Sequence, residues 1–359
     1  MKNIFFLFAL AIFLVQCKDE PITPNSKYTY KQTFYTLEVP SNFPQPVSPG
    51  SNALTNEKIA LGRMLFYDPI VSADSSLACA RCHDQKYAFS DDRKLSINLD
   101  GPTKRNSMPL FNLAFTNRFF WDGRKMSLED AVQDALMGEQ HYNYETLKAR
   151  IAKDTNYQRM VYEAFGSEIK EEHPRMAIAS FIRTMVSSKS PFDLGKREGN
   201  YEKYLGPSAK RGANIFSTET GDCFHCHGDI VSNNLFTDND FHNNGLDTVT
   251  DARDFKDYGH GKVTNTISDN GKFRTPSLRN IAYTAPFFHD GRAIDIDAVM
   301  KHYNEEVLNS PTIDANMKKK DVKGIHLTAQ ETADLQNFIL TLTDTSFIKD
   351  TRFSNPFVK

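Results

Sequence analysis

Four of the five cysteines in this 359-residue chain form two copies of one pattern, Cys79-Ala-Arg-Cys82-His83 and Cys223-Phe-His-Cys226-His227. Two thiols at this spacing can add across the vinyl groups of a porphyrin, and the histidine that follows is then held beneath the iron as its proximal ligand. A zinc site would need further ligands at matching spacing, and a thioredoxin-like dithiol has no need of a histidine after the second cysteine in both copies. The doubled motif predicts a c-type cytochrome with two covalently bound c-type haems. Cys79, Cys82, Cys223 and Cys226 would attach them, and His83 and His227 would be iron ligands.

The fifth cysteine bears on compartment. Met1-Lys2-Asn3 is a short basic start, and Ile4 to Val15 is an apolar run too short to cross a bilayer. Leu14-Val15-Gln16-Cys17 is similar to a bacterial lipobox, although Gln16 is larger than the residue usual before the cut. The expectation is an exported chain with a lipoprotein signal peptide over 1–17, lipidated Cys17, and a hydrophilic linker over 18–40. This places it in the periplasm, anchored by lipid to the bacterial outer membrane. With four thiols taken by haem, no disulfide framework remains. The net charge of -2 and the lack of basic runs argue against a nucleic-acid partner.

The elements that must position these groups occur twice. Asn112-Leu-Ala-Phe-Thr-Asn-Arg-Phe-Phe-Trp121-Asp-Gly-Arg124 mirrors Asn280-Ile-Ala-Tyr-Thr-Ala-Pro-Phe-Phe-His289-Asp-Gly-Arg292. Ala60-Leu-Gly-Arg-Met-Leu-Phe66 precedes the first haem motif, and Lys210-Arg-Gly-Ala-Asn-Ile-Phe216 precedes the second. Apolar stripes at helical spacing run through Met126–Met137, with Ser127 as N-cap, through Met176–Val186 and through Glu331–Leu342. The fold expected is mostly α: two tandem cytochrome c-type domains related by internal duplication, over 41–197 and 198–348. Pro191, Gly195, Gly199 and Gly206 place the break near 195–205. The polar stretch from about 228 to 270 reads as an insertion packed around the second haem.

In order along the chain, the haem motifs, Arg105-Asn106, Phe-Trp121-Asp-Gly-Arg, Phe181-Ile-Arg-Thr184, Thr275-Pro-Ser-Leu-Arg-Asn280 and Thr284-Ala-Pro286-Phe-Phe-His289-Asp-Gly-Arg resemble the bacterial dihaem cytochrome c peroxidase/MauG family. The resemblance spans about residues 45 to 345. It implies reduction of hydrogen peroxide at the N-terminal haem, with electrons entering through the C-terminal haem from a small cytochrome c or a cupredoxin. It also implies that Trp121, the sole tryptophan, lies between the haems. A calcium ion between the domains would take the Asn106 side chain and the Thr284 and Pro286 carbonyls. It leaves room for a homodimer.

Two departures matter. The place where many relatives carry a methionine ligand to the second haem falls on Tyr303, as in the MauG branch, with Met300 one turn earlier and His302 as other candidates. The loop Leu95–Gly101 lacks the histidine that blocks the first haem in many of the peroxidases, and the repeat position matching Tyr303 is Ala135, which cannot bind iron. Both point to a first haem open to peroxide. Moving a proton between the peroxide oxygens needs an acid–base group, for which Glu139 and His141 compete. The runners-up are a MauG-like oxidase acting on a protein partner and a non-catalytic electron carrier.

Overall fold

The computed structural model describes residues 27–358, so the signal segment, Cys17 and residues 18–26 of the linker lie outside the described residues. The later part of the linker is not a free tether. Lys31 N–H donates to Glu163 O at 2.9 Å, Tyr35 N–H to Leu54 O at 3.0 Å, and Leu37 and Val39 pack against a small core around Phe43 and Phe115. Those apolar and aromatic residues dock the segment, a feature the polar composition upstream conceals.

The described chain is mostly helical, and its only sheets are two two-residue antiparallel pairs, Ile97–Asn98 with Gly101–Pro102 and Phe241–His242 with Phe273–Arg274. The helix Asn56–Tyr67 starts at Thr55, whose side chain accepts from Lys58 N–H, and buries Leu61, Leu65 and Phe66. It crosses the helix His173–Arg183, which has Pro174 in its first turn. Gly62 sits at the crossing, where a Cβ would lie 1.9 Å from Ala177 O. Phe66 and Phe181 meet edge to face at 5.5 Å beside it.

The second half repeats this crossing with different residues. Pro207–Phe216 packs on Ala329–Leu340, which opens with a Thr328/Glu331 capping box. A Cβ on Gly212 would lie 1.9 Å from Asp334 O, and Phe216 and Phe338 are 5.2 Å apart. Only glycine lets backbones approach this closely, so the same device sets both helix pairs.

Two large apolar clusters follow. One runs from Leu61 to Met185 and the other from Phe192 to Leu342. Pro191–Glu198 is itself a helix, and its Phe192 packs into the second cluster. Phe347 and Phe353 return to the first cluster, so the end of the chain clasps the first half. Among the stripes, Leu128–Glu139 is a helix capped by Ser127, whose side chain accepts from Asp130 N–H.

Candidate haem sites and the wall between them

Each cysteine–histidine motif opens on its own cavity. Cys79, Cys82 and His83 line the first, and Cys223, Cys226 and His227 the second. His83 Nδ1 donates to Phe89 O at 3.0 Å, and His227 Nδ1 donates to Phe236 O at 3.0 Å. A carbonyl only accepts, so the proton is on Nδ1 and Nε2 keeps its lone pair for a metal. Both acceptors belong to phenylalanines in the left-handed region, at φ 61° and 53°. Burial lowers both imidazole pKa values and favours the neutral, ligating form. Burial also pushes the thiols up, to about 11 for Cys79 and Cys82 and about 12 for Cys223. All four cysteines are free of disulfides. Two unpaired thiols and an imidazole with a free Nε2 on one cavity are the donor set that a c-type haem requires.

The two cavities share a wall. Asn106, Pro109, Trp121 and Arg274 line both. Trp121 is buried, and its Nε1 donates to Asn106 O at 2.8 Å. Asn106 N–H donates to His289 O and Arg274 N–H to Trp121 O, each at 2.8 Å. His289, the repeat partner of Trp121, stacks on Phe273 at 3.6 Å and faces only the second cavity. Asn106 Nδ2 donates to Arg93 O and Lys94 O, both at 3.2 Å, which leaves Oδ1 as the acceptor end of the side chain. Thr284 and Pro286 line the second cavity with Asn106. These are oxygen donors of the kind calcium accepts, with water needed to complete a shell.

The remaining walls differ. In the first cavity the helix Leu128–Glu139 contributes Leu128, Ala131, Val132 and Ala135, and His83 is the only lining histidine. Glu139 lines it too, and Asn98 Nδ2 holds its Oε2 at 2.6 Å. His141 does not line the cavity. With φ at 48° just past the helix end, its ring turns outward and its Nε2 meets Asp100 Oδ2 at 2.9 Å. Gln140, which sequence reasoning missed, is buried in the cavity wall, with Nε2 3.3 Å from Cys79 Sγ and Oε1 unpartnered. No periodicity marks it, because it lies at the helix end.

Met300 and Tyr303 both line the second cavity. His302 does not; its Nε2 bonds to Asn244 O at 3.0 Å. The chain leaves the α-helix Ile296–Lys301 through a single π-helical turn, His302–Glu306, of the kind that often re-aims a side chain at a functional site. Asn244 Nδ2 donates to the Tyr303 hydroxyl at 3.0 Å, and burial raises the phenol's pKa.

The polar 228–270 stretch serves both cavities rather than the second alone. His242 and Asn244 face the second, whereas Phe255, Asp257, Tyr258 and Val263 cover the first. The long reach is fastened by Arg105, which bonds both Asp257 oxygens at 2.7 Å and Asp122 Oδ2 at 2.7 Å.

Paired thiols, each with a carbonyl-oriented imidazole on its own cavity, define the class as c-type haem proteins. Residues 56–200 match the family model for di-haem cytochrome c peroxidase. The chain is 34% identical over 304 residues to methylamine utilization protein MauG of Methylorubrum extorquens, covering 82% of this chain and 80% of that protein. It is likewise 34% identical over 332 residues to cytochrome-c peroxidase IdrP1 of Pseudomonas sp. (strain SCT), covering 84% of each. Among solved structures, a MauG-like protein associated with microbial copper homeostasis superposes with a TM-score of 0.81 at 32% identity, covering 90% of this chain and all of that one. The chain belongs to the di-haem cytochrome c peroxidase/MauG family.

Proposed function

We propose that this chain is a dihaem peroxidase that reduces hydrogen peroxide to water at the His83 cavity with electrons delivered through the His227 cavity. The observation that carries the reading is the contrast between the walls: no second histidine lines the first cavity, while Tyr303 lines the second. When bound, haem supplies the redox-active iron. The chain supplies the rest. Nε2 of His83 and of His227 would hold the metals, and the Tyr303 hydroxyl, steadied by Asn244, would close the second site, with Met300 as packing. Glu139 would hold and move the proton that passes between the peroxide oxygens, kept in place by the Asn98 amide, with His141 left at the surface. Leu128, Ala131 and Val132 exclude water. Trp121 bridges the two cavities and would carry electrons between them. Each peroxide consumes two electrons and two protons and yields two waters.

The donor in this reading is a small c-type cytochrome or a cupredoxin, and calcium would sit at Asn106, Thr284 and Pro286. The two units, over 41–197 and 198–348, would have arisen by duplication, as the repeated glycine crossings suggest. The amino-terminal sequence favours a periplasmic chain tethered through Cys17. A second reading, a MauG-like oxidase acting on a protein partner, is favoured by the same Tyr303 and by the identity to MauG. Adding peroxide to purified protein with a reduced cytochrome c or cupredoxin separates them. The peroxidase reading expects two donor molecules oxidised per peroxide. Peroxide consumption without donor oxidation contradicts it and leaves the protein-oxidising reading.

A further inference from the structure

We infer that Arg274 binds a haem propionate carboxylate at the wall shared by the two cavities, an inference that rests on the two-haem reading above. Three arginines are buried among the described residues. Arg279 grips both oxygens of Asp193 at 2.7 and 2.8 Å, and Arg183 grips both oxygens of Glu129. Arg274, 6% exposed, instead donates to three neutral acceptors: Phe120 O at 3.3 Å, Asn239 Oδ1 at 2.7 Å and Met108 Sδ at 3.4 Å. A guanidinium has five N–H donors, so two remain without an acceptor. Asp238 steadies the charge from a distance but is itself bonded to His242 Nε2 at 2.9 Å.

Burial lowers the pKa of Arg274 to about 10, which still leaves it a cation at neutral pH. A buried cation without an anion is strongly unfavourable, and the other two buried arginines obey that rule. The other residues of the shared wall, Asn106, Pro109 and Trp121, carry no charge. The missing anion must therefore come from what fills a cavity. A c-type haem keeps its two propionates free after its vinyl groups are consumed, and a planar carboxylate matches the guanidinium fork. The carboxylate could belong to either haem, since Arg274 faces both cavities. A cation beside a haem favours the reduced, less positive iron, so Arg274 holds that haem's potential up.

The test is a spectroelectrochemical titration of the fully haem-loaded protein, resolving both haems, for the wild type and for Arg274→Gln and Arg274→Lys. Arg274→Gln should shift the reduction equilibrium of at least one haem tenfold toward ferric, a fall of about 59 mV for one electron. Arg274→Lys keeps the charge but loses the fork, and should give a smaller fall at the same haem. The haem that moves identifies the propionate's owner. If the glutamine variant does not load, the lysine variant decides alone. Unchanged potentials at both haems in a loaded variant overturn the propionate assignment, whereas a wild type that loads fewer than two haems overturns the two-haem reading itself.

Discussion

His83 and His227 are held alike, each by a phenylalanine carbonyl 3.0 Å from Nδ1, yet the cavities above those bonds differ in nearly every other wall residue. A regular α-helix carries Ala135 in the first, and a π-turn carries Tyr303 in the second. The supports that orient a metal ligand are the same in both halves, while the groups that would decide what else reaches the metal have diverged. A division of labour between two like sites needs little more than that change, plus Trp121 on the common wall.

The two halves part most completely if a haem motif is removed. Replacing Cys223 and Cys226 with serine should leave a chain carrying one covalent haem, read as a single haem increment in intact mass, with the first half still loaded. A smaller effect separates Glu139 from His141. Glu139→Gln should slow the reaction with peroxide about 100-fold, the lower end of what a positioned proton-transfer group contributes, while His141→Ala should change it little. Rapid mixing with peroxide checks both. Next in size, Trp121→Phe should load both haems and still consume peroxide, but donor oxidation should fall at least tenfold, on the order of 1.4 kcal/mol in barrier terms. Normal donor turnover in that variant would reduce Trp121 to core packing. Smallest, Tyr303→Phe should raise the potential of the second haem and alter its ferric spectrum, because a phenolate favours ferric iron. Met300→Leu should leave both nearly unchanged, and the opposite pattern would move the ligand to Met300.

What the sequence revealed followed from local chemistry. The haem motifs, the Ser127 cap and the helical stripes depend on near neighbours, and the family resemblance points to Tyr303, which lines the second cavity. Glu139 lines the first cavity and His141 turns away from it at one left-handed residue past the helix end, a placement that spacing does not encode. Long-range placements were also hidden. Nothing in the composition of residues 253–267 says that they cover the first cavity rather than the second, or that Phe347 and Phe353 return to the first core. Arg274 stands just before the Thr275–Asn280 motif and no sequence pattern marks it; only the absence of a hydrogen-bonded carboxylate sets it apart from Arg183 and Arg279.

Titrating the resting ferric protein with cyanide and counting equivalents bound per chain distinguishes one open site and one closed by the chain from two like sites. One tight equivalent in the wild type, rising to two in Tyr303→Ala, is the predicted result. Two equivalents in the wild type, or none, would contradict it.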